Sequence, residues 1–110
     1  MEISVIVACN NLWSLTHQCL MHLVHNYADQ PFELIAIDNG SEDMTYEKLD
    51  EFKYFNSLIP MTVISLPGRV GPSKAWNAGI KQAVGNYIAI IGNDVIVPKH
   101  YLKRILEKMG

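Results

Sequence analysis

The chain has 110 residues, a formal net charge of −2, and 49% hydrophobic and 18% charged residues. That balance belongs to one globular domain burying roughly two thirds of its unfolded surface, and it lacks the basic footprint of a nucleic-acid binder. No apolar run approaches the ~20 residues that span a bilayer, and Cys9 and Cys19 are too few for a disulfide framework.

In chain order, residues 3–8 (ISVIVA) are continuous and β-branched, the pattern of a strand buried on both faces. Residues 14–27 carry Leu15, Cys19, Leu20, Leu23, Val24 and Tyr27 at helical spacing. Residues 32–38 (FELIAID) form a second buried strand. Residues 44–58 form a helix with Leu49, Phe52 and Phe55 on one side and Ser41 or Asp43 as N-cap. Residues 61–66 (MTVISL) are a third strand. Residues 71–85 are a helix with Pro72 in its first turn and Gly85 just past its end. Residues 86–92 are a fourth strand. Residues 98–109 are a helix that begins at Pro98 and carries Leu102, Ile105, Leu106 and Met109.

Buried strands alternating with helices predict a parallel sheet with helices on both faces and right-handed crossovers. Ligands of such sheets bind beyond the carboxyl ends of the strands, where the strand order reverses. Four segments fall on that rim: ACNN (8–11), DNGSED (38–43), PGRVG (67–71) and GNDV (92–95). Three of them are rich in Asn, Asp and Gly, so a small-molecule pocket is the default expectation.

The N-terminus opens Met-Glu without a basic region, unlike a signal peptide. The expectation is a cytoplasmic protein with two small, buried, reduced cysteines. A dinucleotide fingerprint requires glycines after the first strand, where this chain reads ACNNLW. GPSKAWNAG lacks the spacing of a phosphate-binding P-loop. His17, His22 and His25 share a helix but form no H-x-x-x-H pair; they read as a solvated face rather than a zinc site.

Three motifs in order carry a resemblance: SVIVACNN, ELIAIDNGSED and VGPSKAWNAGIKQAVGNYIAIIGNDVIVP. Together they resemble the family 2 glycosyltransferases, over essentially all of residues 3–110. The resemblance implies an α/β, Rossmann-like GT-A fold of about four parallel strands, in the expected order 3-2-1-4. It also implies a nucleotide-diphosphate sugar, UDP-, GDP- or dTDP-linked, as ligand, with Mn²⁺ or Mg²⁺ as cofactor. The chain reads as a single nucleotide-sugar-binding domain, 1–110, of a truncated GT-A protein whose acceptor half, with the catalytic base, is absent.

Site residues follow from the resemblance position by position. Ala8, Cys9 and Asn10 stand where the family frames base and ribose, and the contact carries over through the backbone. Asn11 matches a family Asn. Asp38 stands where the family Asp accepts a base N–H; a carboxylate at a strand end near helix N-termini suits that role. Ser41 and Asp43 match the S-x-D element, with helix capping an equal reading. Gly71 would let a ligand approach the backbone, and Lys74 would reach a phosphate. Asn77 and Gly79 match the N-x-G element. Trp76 stands where many members carry Arg, and Arg69 is a candidate replacement. GND (92–94) occupies the family's D-x-D, with Asn93 at the nucleotide sugar, Asp94 as the metal ligand and Gly92 in place of the first acid.

Two readings stay open: a glycosyltransferase, and a non-catalytic fragment or pseudo-enzyme that binds nucleotide at most. The fourth strand is expected to form an apolar sheet edge that invites homodimerisation.

Overall fold

The β-branched runs become four parallel strands: β1 (Ile3–Cys9), β2 (Glu33–Asn39), β3 (Met61–Leu66) and β4 (Tyr87–Ile90). They alternate with four helices: α1 (Trp13–Val24), α2 (Thr45–Phe55), α3 (Pro72–Ile80) and α4 (Tyr101–Met109). The computed structural model describes residues 2–109. The strand order is β3-β2-β1-β4, as expected. The chain moves one way from β1 to β3 and then crosses back to place β4 beside β1.

Alternation along each strand divides the apolar side chains into two layers. Ile3, Val5, Val7, Leu34 and Ala36 pack under Leu20, Leu23, Leu49, Phe52 and Leu102, from α1, α2 and α4. Ile6, Ile35 and Ile37 pack on the opposite face with Ala75 of α3. α3 comes close because Gly79 faces the sheet: a Cβ there would lie 2.8 Å from Ile37 Cδ1. Three helices therefore cover one face and one covers the other.

This asymmetry corrects the reading of the fourth strand. It is shorter than 86–92 and only half-buried, because α3 covers β1 and β2 and leaves Ile88 and Ile90 exposed. Other boundaries also move. α1 ends at Val24, and Tyr27 lies beyond it, edge-on to Phe32. α3 ends at Ile80, so Gly85 does not cap it. Gly85 packs against β1 instead, where a Cβ would meet Ser4 N at 2.7 Å. Phe55 of α2 faces solvent, while Leu49 and Phe52 are buried.

Pro98 does not begin a helix. Asn26, buried at the end of α1, donates to Pro98 O at 3.2 Å and accepts from Leu102 N at 3.1 Å. Residues 99–100 form a turn, and α4 starts after His100, whose φ is 64°.

Candidate functional site at the carboxyl rim

The site lies where the topology predicts, above the end of β1 at the reversal of strand order. A cavity of 360 Å³ opens there between the N-terminal ends of α1 and α3. Ala8, Cys9, Asn10 and Asn39 line it from the strand ends, with Ile91, Gly92 and Asn93 after β4. Leu12 and Leu15 close one side; Arg69, Pro72, Ala75 and Trp76 close the other.

The polar rim residues build the loops. Asn10 Nδ2 donates to Asn39 O at 2.6 Å. Asn11 Oδ1 accepts the amides of Glu42 and Asp43, and its own amide donates to Ser41 Oγ at 2.8 Å. Asp43 accepts from Leu12 N through Oδ2 and from Thr45 N through Oδ1. The loops after β1 and β2 are thus laced together. Asn11 and Leu12 take left-handed backbone conformations in this staple. Met44 takes the N-cap position of α2 without a side-chain cap bond; Asp43 Oδ1, from the preceding residue, accepts the first α2 amide, Thr45 N, while Ser41 holds only the neighbouring loop. The hydrogen bonds to Asp43, Thr45 foremost, keep its carboxyl below the usual range.

Asp38 is buried at the end of β2, beside Cys9 in register, and its Oδ1 accepts from Ser41 N at 3.1 Å. Burial pushes the Cys9 thiol up to about 12, with the Asp38 charge adding to the rise. Cys19 is raised to about 11, first by burial and then by Asp94. Both cysteines are free and buried.

Of the residues selected from sequence, Ala8, Cys9, Asn10 and Asn93 come together on the cavity wall. Asn93 also donates to the buried Thr16 hydroxyl at 3.1 Å, which ties the GND turn to α1. Asp38, Gly71, Lys74 and Asp94 are not among its lining residues. Gly71 is the N-cap of α3 at φ −61° and ψ 157°, a conformation any residue adopts, and a Cβ there meets no atom. Lys74 and Asp94 are exposed. Sequence reasoning gave Asn39 no role within DNGSED, yet this Asn ends the strand and lines the cavity.

Asp94 is the one carboxylate of the GND turn. Its Oδ1 folds back over Gly92, where a Cβ would lie 3.0 Å away. Among the described residues no three His, Cys, Asp or Glu side chains gather as a metal site. Asp94 is exposed, so this turn offers a single carboxylate that could hold a hard cation.

A parallel sheet in the order β3-β2-β1-β4, with helices on both faces and a cavity at its carboxyl rim, defines a Rossmann-like α/β domain. The family described as "Glycosyl transferase family 2" matches residues 4–110, and the chain belongs to this family. It is 29% identical to glycosyltransferase GlyG of Streptococcus pneumoniae, over 97% of this chain and 35% of that protein. The crystal structure of S. aureus TarS 1–349 in complex with UDP-GlcNAc superposes with a TM-score of 0.84 at 27% identity, covering 97% of this chain and 30% of that one. The mannosyltransferase PcManGT from Pyrobaculum calidifontis, solved with GDP-Man and Mn²⁺, shares the fold at a TM-score of 0.83 and 23% identity, over 88% of this chain and 28% of that one. The chain thus spans about a third of each of these proteins. Among the described residues, no helix is long and apolar enough to cross a membrane.

Proposed function

We propose that the rim cavity holds a nucleotide-diphosphate sugar, from the UDP, GDP or dTDP series, as donor for glycosyl transfer. The supporting observation is that Ala8, Cys9, Asn10 and Asn93, selected by motif from segments far apart in the chain, line one cavity at the strand-order reversal. In this reading the backbone of Ala8 to Asn10 frames the base and ribose. Asp38, whose Oδ1 is occupied by the Ser41 amide, accepts a base N–H through Oδ2. Gly71 leaves room beside the ligand, and Lys74 reaches over from the exposed face of α3. Asp94 would hold Mn²⁺ or Mg²⁺ together with the diphosphate. The ion would offset negative charge on the departing nucleoside diphosphate.

Residues 1–110 act in this reading as one donor-binding domain, and acceptor binding and the catalytic base belong to a longer protein. Gly92 in the place of the first acid favours a second reading, a domain that binds nucleotide without turnover. The two free cysteines suit a reducing, cytoplasmic setting. The β4 edge, with Ile88 and Ile90 exposed, suits self-association; a clean monomer by light scattering at high concentration would count against it.

Calorimetric titration of UDP, GDP and dTDP, with and without Mn²⁺, tests the donor site. Binding of one nucleotide, strengthened by Mn²⁺ and with that gain lost in Asp94→Ala, is the expected result. Folded protein that binds none of the three overturns the reading.

A further inference from the structure

We propose that Arg69 is the anion-binding residue of the rim cavity and that Asn39 and Gly40 are positioning residues that hold its loop in place. This rests on the reading of the cavity as a nucleotide-diphosphate site and names the group that meets the diphosphate. Arg69 is the sole charged side chain among the residues lining the cavity. It is exposed, and it takes part in neither of the ion pairs found among the described residues. A guanidinium without a carboxylate partner keeps its planar set of donors available for a phosphate.

The loop that carries it is held from two sides. Asn39 clasps the next residue, Val70, through both its amide and its carbonyl. Gly40, at φ +68°, lies under the loop so closely that a Cβ would be 2.4 Å from Arg69 N and 2.6 Å from Gly68 C. Only glycine admits that approach, because any side chain would collide with backbone rather than with a movable tip. Both holding residues follow Asp38 directly, so the end of β2 sets Asp38 and the Arg69 loop in one register. On the same side of the cavity Trp76 supplies an apolar wall and no charge. The cavity's positive charge therefore comes from the β3–α3 loop.

The test compares UDP, uridine and inorganic pyrophosphate binding to the protein and to its Arg69→Gln and Arg69→Lys variants, with the fold checked by circular dichroism. Arg69→Gln should weaken UDP about tenfold, the scale of one charge-assisted contact, leave uridine unchanged, and be partly rescued by Lys. Equal UDP affinity in Arg69→Gln overturns the assignment and leaves the nucleotide reading standing. Equal losses for UDP and uridine also overturn it, since the effect is then not on the anion. Pyrophosphate binding that depends on Arg69, without any UDP binding, supports the anion site and overturns the nucleotide reading. Wild-type protein that binds neither overturns both.

Discussion

Asn39 and Val70 hold each other through two hydrogen bonds: Asn39 Nδ2 donates to Val70 O at 2.9 Å, and Val70 N donates to Asn39 Oδ1 at 2.9 Å. An amide side chain presents donor and acceptor as a peptide does, so Asn39 continues the β2–β3 pairing beyond the last strand residues. Asn39→Ala leaves both Val70 groups without these partners. It should cost about 1–3 kcal/mol, read from urea unfolding, and should speed exchange of the Val70 amide. Asn39→Asp retains the acceptor but turns a carboxylate oxygen toward Val70 O in a buried position beside Asp38, so it should not recover the loss.

Gly40→Ala combines a left-handed backbone with a Cβ placed against the Gly68 and Arg69 backbone. The cost should be about 2 kcal/mol or more. Gly68→Ala is the control, because a Cβ there meets no atom within 4 Å. Thermal unfolding should separate the two variants clearly.

At the opposite end of the sheet, buried Glu33 accepts from Ser4 Oγ and from Val84 N at 2.6 Å, while Ser4 Oγ accepts from Gly85 N at 2.8 Å. This network seats the α3–β4 connection beneath β1. Glu33→Ala strands a hydroxyl and an amide and should cost about 2–3 kcal/mol. Glu33→Gln keeps an acceptor oxygen and should cost less. Equal losses by chemical denaturation would show that packing rather than the acceptor matters.

The thiols give stability a slope at high pH. Cys9 rises from the ordinary value of 9.0 to about 12 and Cys19 to about 11, because burial disfavours the thiolate. The folded state thus keeps its thiol protons where the unfolded chain gives them up. No stability is lost to these groups below pH 9.0, and it falls as pH rises from there toward 11 and 12. Urea midpoints should drop across that range, and a Cys9→Ala, Cys19→Ala double variant should drop less. Folded protein should resist thiol-labelling reagents at pH 8.

The alternation of buried strands and amphipathic helices was legible in the sequence by itself, and so was the parallel sheet, because apolar runs and helical spacing are local signals. The rim segments followed from the strand ends of such a sheet, and the strand order came with the family resemblance. Element ends were less legible. Pro98 reads as a helix start until buried Asn26, distant in sequence, takes its carbonyl. Phe55 reads as core until α2 settles with Phe52 inward.

The division of the rim was decided only by tertiary structure. Asn11, Ser41 and Asp43 look alike in sequence as ligand groups or caps, and the fold uses them to join two loops. Asn39 and Arg69 share the cavity wall because β2 and the β3–α3 loop meet there. Asp94 lies in the turn beyond β4, which ends at Ile90, and it stands exposed and outside the cavity wall. A short polar side chain can serve a turn, a staple or a ligand equally well. Which of these it serves depends on the groups that long-range folding brings within hydrogen-bonding distance.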